Sequence, residues 1–238
     1  MTMNQPRVVS REEWLAARRE LLAAEKQFTK QRDELTRKRQ AMPWVAVETD
    51  YRFIAPQGEL SLAELFGGRS QLIVQHFMYG PEWSEGCPSC SFWADNYDGT
   101  IAHLNARDIS FAAVSAAPID KLEAYRARMG WSFRWVSSQG SSFNRDFHVS
   151  FTQAEVDAGD INYNYREGAR FPTTEAPGIS VFARGEGGQL FHTYSCYARG
   201  LDMLNGAYHY MDLTPKGRDE AGLSYSMAWL RRHDSYSS

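Results

Sequence analysis

Apolar positions along the chain change their period from one segment to the next. From Ser10 to about Gln40, Trp14, Leu21, Phe28 and Leu35 recur every seventh residue in a stretch free of Gly and Pro, which predicts one long helix. Ser10 and Glu13 have the spacing of a capping box at its start. Ala17 and Ala24 accompany the seam early, but Gln31 and Lys38 take over that second track, so one seam alone is apolar. The pattern predicts an N-terminal helical arm over 1–43, ended by Met42-Pro43, that either lies on its own domain or packs across a homodimer.

The remainder, 44–238, alternates strand and helix patterns. Tyr51 to Ile54 reads as a short strand, and Ser61 with Glu64 caps a short helix through Leu65 and Phe66 before Gly67-Gly68. Gln71 to Met78 carries Leu72-Ile73-Val74 with Phe77 and Met78, the pattern of a strand covered on both faces. A loop, Tyr79 to Gly86, follows. From Cys87 on, Phe92, Trp93, Tyr97, Ile101 and Leu104 fall near helical spacing, and Phe111 to Val114 reads as a second buried strand. Pro118 suits the first turn of a helix with the face Ile119, Leu122, Tyr125 and Met129 and a stop at Gly130; Phe133 to Val136 then returns as a strand. This alternation predicts parallel pairing through right-handed crossovers.

Between Gly140 and Pro172 the pattern weakens, and loops with a short helix near Thr152 to Val156 are expected. Ile179 to Ala183 and Gln189 to Tyr194 flank Gly185-Glu186-Gly187-Gly188 as a β-hairpin. Further helices are predicted near Gly200 to Tyr210 and Lys216 to Arg232.

Composition narrows the function classes. The 238 residues are 43% apolar, enough for one well-cored domain with appendages. Lys+Arg of 26 against Asp+Glu of 29 gives a net charge of -3, which argues against nucleic acid or an anionic membrane as the main partner. The Met1 to Arg7 start has no apolar leader, and no apolar run approaches the roughly 20 residues of a membrane span. The chain reads as soluble and cytoplasmic. Its three cysteines cannot make a disulfide framework, so the pair two residues apart points to redox chemistry or metal binding. Cys196 stands by itself and reads as a small buried thiol in a strand.

Chemistry concentrates at Gly86-Cys87-Pro88-Ser89-Cys90. A helix N-terminus offers unpaired N–H groups and the positive end of the macrodipole, so a thiol there ionises near neutral pH. Cys87 is then the nucleophile. Pro88 fits the first helical position, and Cys90, nearly one turn on, reaches Cys87 to close or open a disulfide. The competing readings are a zinc half-site, which lacks a second Cys pair and would need His76, His103, His148 or another distant His, and an inert structural pair. No cofactor and no resident metal are expected.

Phe77-Met78-Tyr79-Gly80-Pro81-Glu82-Trp83, Gly86 to Asp95 and Tyr197-Ala198-Arg199-Gly200-Leu201-Asp202 resemble a thioredoxin-like family of uncharacterised bacterial proteins, grouped with predicted dithiol-disulfide oxidoreductases of the thioredoxin and peroxiredoxin superfamily. The resemblance covers nearly the whole chain. It implies a thioredoxin-like α/β fold, a central mixed sheet flanked by helices, with the long N-terminal helix and a C-terminal helical extension. It also implies a cis-proline before the strand facing the cysteines. Pro177, in Ala176-Pro177-Gly178, has the matching order, with an ordinary trans turn as the alternative. Trp83 has a neighbourhood equivalent to the tryptophan before thioredoxin cysteines, across a longer loop. A peroxiredoxin motif needs Pro, then Thr or Ser four residues on, then Cys three beyond; Pro81, Ser84 and Cys87 are one residue short.

Supporting groups are more ambiguous. Asp95, two turns after Cys87, is either an acid-base group or a solvated polar residue; His76 is either a proton shuttle or a hydrogen-bonded core histidine. Asn144 to His148 and Tyr208 to Asp212 either line a pocket or form surface loop and helix end. Arg199 and Asp202 have the spacing to pair, and Trp131, Phe133 and Trp135 alternate as packing residues do. The reading is a thiol-disulfide oxidoreductase acting on a protein or small-molecule thiol or disulfide, ahead of a thiol peroxidase and of a non-enzymatic module that binds through Tyr79 to Trp83.

Overall fold

The computed structural model describes residues 7–236. Of the Met1 to Arg7 start, all but Arg7 lies outside them. The chain divides into two compact units, Met1–Pro43 and Trp44–Ser238. The first holds α1 (Arg11–Gln40), opened by the Ser10/Glu13 capping box and closed by Arg37, Lys38 and Arg39, which complement the negative end of its dipole.

The second unit begins with β1 (Val45–Ala46), β2 (Arg52–Ala55), β3 (Gly58–Ser61) and α2 (Leu62–Leu65), with Ser61 and Glu64 forming the expected cap. Next come β4 (Gln71–His76), α3 (Pro88–Tyr97), a 3-10 turn, α4 (Ile101–Asn105), β5 (Ile109–Ser115), α5 (Ile119–Arg128) and β6 (Arg134–Ser137). A more irregular stretch follows with α6 (Phe143–Asp146), α7 (Gln153–Ala158), β7 (Ile161–Tyr163) and β8 (Arg166–Ala169). The hairpin β9 (Gly178–Arg184) and β10 (Leu190–Tyr197) and the short α8 (Gly206–Met211) complete the regular elements.

Among the described residues, eight strands form one sheet in the order β1-β10-β9-β4-β5-β6-β2-β3. β4 lies inside it, parallel to β5 with Ile73 opposite Phe111, and antiparallel to β9 with Ile73 opposite Val181. β6 extends the parallel part. A strand that leaves through a helix to a parallel neighbour on one side, and meets a hairpin on the other, is the thioredoxin-like arrangement. The fold is a thioredoxin-like α/β fold.

Alternation along β4 and β5 serves two cores. Leu72, Val74, Ala112 and Val114 join Phe53, Phe66, Val136, Phe143 and Phe182 on one face. Ile73, Phe111 and Ala113 join Phe77, Trp93, Tyr97, Trp131 and Trp135 on the other. Both faces of β4 are therefore covered, which is why Leu72-Ile73-Val74 is a continuous apolar run rather than an alternating one.

Three expectations fail. Lys216 to Arg232 is not helical but a series of turns. Gly217 at φ 60° and Asp219 at φ 50° break any helix, and Glu220 instead accepts bonds from the Met227 N–H at 2.8 Å and Trp229 Nε1 at 2.9 Å. Gly200 to Tyr210 is likewise divided, a 3-10 run over Ala198–Leu204 and then α8. Nor is the bond before Pro177 cis, since every described peptide bond is trans. In this form the Ala176 N–H reaches the Val149 carbonyl at 2.8 Å, and the Pro177 carbonyl accepts from the Tyr163 hydroxyl at 2.8 Å. No helix of the described residues is long and apolar enough to cross a membrane.

Candidate redox site at the start of helix α3

β4 delivers the chain to the site. Beyond its end, the Phe77 N–H still bonds the Val114 carbonyl at 2.9 Å, and the Cys87 N–H closes the intervening loop onto the Met78 carbonyl at 3.0 Å. Gly86 sits in the tightest place. A Cβ there would lie 2.8 Å from Phe77 Cε1 and 2.9 Å from Tyr125 Cε1, so the backbone approaches both rings as no larger residue allows. Cys87 is the N-cap of α3, and Pro88 occupies its first turn.

The two sulfurs differ sharply in environment. Cys87 is half-buried and Cys90 fully buried, both as thiols. A hydrogen bond from the Cys90 side chain, joined by the Ser89 and Cys90 backbone N–H groups and the Ser89 side chain, brings the Cys87 thiol down to about 7 against the opposing effect of burial. Burial foremost, and then the neighbouring Cys87, push Cys90 well above the ordinary thiol value, although the Met78 N–H donates to its sulfur at 3.4 Å. One sulfur is ready to ionise while the other keeps its proton.

A cleft of about 720 Å³ opens over Cys87. Its walls come from the loop around Trp83, from Phe171-Pro172-Thr173, and from the C-terminal segment including Met227, Leu230, Arg231 and Arg232. Arg232 ties that segment down: Nη2 donates to the Gly86 carbonyl at 2.7 Å, Nε to the Tyr125 hydroxyl at 2.8 Å, and Nη1 pairs with Glu85 at 2.8 Å. Tyr125 in turn bonds Ser91 Oγ at 2.9 Å, and Ser91 donates to the Cys87 carbonyl.

The other sequence candidates distribute unevenly. Trp83 lines the cleft beside Cys87, and Ser84 does too. Asp95 lies on α3 but accepts from Trp131 Nε1 at 2.8 Å and binds His233 Nδ1 at 2.7 Å, an anchor for the C-terminal segment. His76 is buried in β4, bonded through Nε2 to Ser180 Oγ at 2.8 Å, and burial lowers it to about 3, so it is neutral. Pro177 precedes β9 as the order implies, yet Pro172 rather than Pro177 lines the cleft. Cys196 is buried in β10. Tyr208, from the second mixed aromatic stretch, is buried and donates to Glu220.

His148, from the first such stretch, lines a separate cavity of about 880 Å³ with His192 and Tyr197. Among the described residues no three His, Cys, Asp or Glu side chains converge as metal ligands. Sequence reasoning missed Arg231 and Arg232 at the cleft, and Tyr125 as the group that holds Arg232, because residues about 40 or 140 positions away leave no local spacing signal; the Arg231-Arg232 pair stands at the end of a segment whose apolar spacing suggests a helix.

The profile of DUF899, a bacterial protein family of unknown function, matches residues 3–236. The chain belongs to the DUF899 family. No curated protein matches this DUF899 chain. Among solved structures, it is similar to a PrxQ mutant of Xylella fastidiosa at 9% identity and a TM-score of 0.44, over 70% of this chain and 95% of that one. A peroxidoxin, BcpB, of Mycobacterium tuberculosis matches at 11% identity and a TM-score of 0.46, over 69% and 94%. A hypothetical protein of Sinorhizobium meliloti matches at 11% and 0.40, over 63% and 69%.

Proposed function

We propose that this DUF899 chain is a dithiol-disulfide oxidoreductase in which Cys87 attacks and Cys90 resolves. The observation that carries the reading is the asymmetry of the pair: Cys87 half-buried at the α3 N-cap with its thiol lowered to about 7, and Cys90 fully buried and raised. In oxidation of the pair, the Cys87 thiolate displaces one thiolate from a substrate disulfide and forms a mixed disulfide. Cys90 then attacks Cys87 Sγ, its proton goes to the departing thiolate, and the Cys87–Cys90 bond closes. The reverse sequence reduces the pair.

Titration of the reduced and oxidised protein against glutathione or dithiothreitol buffers, read by thiol trapping and mass, tests this directly. A reversible two-electron transition is expected, and in Cys90→Ser a mixed disulfide accumulates on Cys87. Absence of any disulfide sinks the reading and leaves a binding module. A thiol peroxidase is the second reading, favoured by Ser84 lining the cleft with Cys87. It predicts peroxide consumption and a sulfenic acid on Cys87 in Cys90→Ser.

A further inference from the structure

The cleft over Cys87 is a concave site with walls from three segments of the chain. The C-terminal segment forms one wall, with Leu230 buried and Arg232 bonded across to Gly86 and Tyr125. The cleft beside that segment encloses about 720 Å³. That volume falls in the range of small-molecule sites, roughly 300–1,000 Å³. Met78, Trp83, Phe171, Pro172, Met227 and Leu230 give it an apolar lining.

Charge at the mouth then gives a sign. Arg232 pairs with Glu85 at 2.8 Å; Arg128 pairs with Glu85 and, at 2.7 Å, with Asp234. These two arginines and two carboxylates balance. His233 is bonded to Asp95 at 2.7 Å. Arg231 also lines the cleft, and among the described residues its contacts are to neutral groups. Its Nη1 donates to the Ala228 and Leu230 carbonyls at 3.2 and 2.9 Å, and its backbone N–H donates to the Tyr236 hydroxyl at 3.1 Å. The two carbonyl bonds hold one edge of the guanidinium, and among the described residues no carboxylate pairs with it.

We infer that the substrate of the Cys87–Cys90 pair is a low-molecular-weight, carboxylate-bearing thiol or disulfide whose anionic group is read by Arg231. This rests on the oxidoreductase reading above. Arg231 is exposed at the cleft, where its guanidinium attracts an anion from solvent and its Nε and Nη2 side offers paired N–H donors. In one turnover the thiolate of Cys87 and the thiol of Cys90 are oxidised to a disulfide, and the anionic disulfide is reduced by two electrons to two thiol products. One product leaves with the Cys90 proton, and the other leaves as thiolate.

The test compares three simple disulfides at low ionic strength: dithiodipropionate, hydroxyethyl disulfide and cystamine, which are anionic, neutral and cationic. Oxidation of the reduced protein is followed by acid quench and thiol trapping, and each rate is divided by that of the same disulfide with a free small thiol. The expected result is a preference for dithiodipropionate over cystamine of about tenfold, collapsing towards unity in Arg231→Gln and retained in large part in Arg231→Lys. Equal normalised rates in the wild type overturn the inference, as does a preference that survives Arg231→Gln. A pair that hydroxyethyl disulfide cannot oxidise at all overturns the oxidoreductase reading as well, whereas a reactive pair without charge preference overturns this inference alone.

Discussion

At the scale of single residues, the division of labour between Cys87 and Cys90 rests on one hydrogen bond more than on the helix end. The Cys90 side chain is the largest influence lowering Cys87. Cys90→Ala removes that donor, and Cys90→Ser keeps one. Alkylation of Cys87 at pH 7 is therefore expected to slow on the order of fivefold in Cys90→Ala and much less in Cys90→Ser. In wild type the rate rises with pH through a midpoint near 7, because the thiolate is the reacting form. A midpoint above 8 in wild type, or equal rates in the two variants, would contradict this assignment.

A second residue, Glu175, governs stability rather than chemistry. Burial pushes its carboxyl from the ordinary 4.5 up to about 7, with Ser150 Oγ donating to it at 2.7 Å. The folded chain keeps a proton there that the unfolded chain has lost above 4.5. Because the folded-state value is the raised one, stability falls as pH climbs from about 4.5 to about 7, by on the order of 3 kcal/mol, and is level above. Glu175→Gln has no charge to bury and retains an acceptor for Ser150. Urea midpoints at pH 5 and pH 8 are expected to differ less in this variant than in wild type, with the variant gaining at pH 8.

At the scale of elements, sequence legibility followed locality. The capping boxes at Ser10 and Ser61 each join residues three apart, and both are present; a third, Thr152 with Glu155, opens the short helix expected there. The β9–β10 hairpin was legible because Gly185 to Gly188 separate two apolar runs. β1, β3, β7 and β8 were not, since short segments such as Gly58-Glu59-Leu60-Ser61 and Arg166-Glu167-Gly168-Ala169 carry too few apolar positions to be told from loop. The Lys216 to Arg232 error has a different origin. Leu223, Met227 and Leu230 have helical spacing, but the backbone there is fixed by Glu220 and by Leu230 entering the core, which are tertiary bonds. Cys87 and Cys90 were legible for the same reason as the caps, whereas the walls of their cleft come from three distant segments.

The loop before α3 shows how little freedom that element has. Gly86→Ala would bring its methyl group against Phe77 and Tyr125 within 2.9 Å. The expected cost is about 1–3 kcal/mol, together with displacement of the N-cap and slower Cys87 alkylation. A variant with wild-type denaturant midpoint and wild-type thiol reactivity would show that the rings yield freely. For α1, we propose that the seam of Trp14, Leu21, Phe28 and Leu35 pairs with a second copy of the chain; light scattering at micromolar concentration is expected to give a dimer, and a monomer removes the proposal.

At the scale of the whole second unit, the C-terminal segment supplies one wall of the cleft that leads to Cys87. Its anchors differ in kind. Arg128 with Glu85 and Asp234 is partly exposed on every member, and such pairs contribute at most about 1 kcal/mol each and weaken in salt. Arg232 has a side chain only 18% exposed and bonds a backbone carbonyl, a tyrosine hydroxyl and a carboxylate, so its loss is expected to cost about 1–3 kcal/mol. Arg232→Ala therefore loosens the roof more than high salt does. The measurable consequence is a change of size selectivity at Cys87: a bulky maleimide gains about tenfold in rate, while iodoacetamide, which already fits the cleft, gains far less. Since both reagents report on the same thiolate, their ratio cancels any change in its ionisation and isolates access. An unchanged ratio in Arg232→Ala would mean that the segment covers the cleft without gating it, and that selection at this site rests on the cleft's own walls.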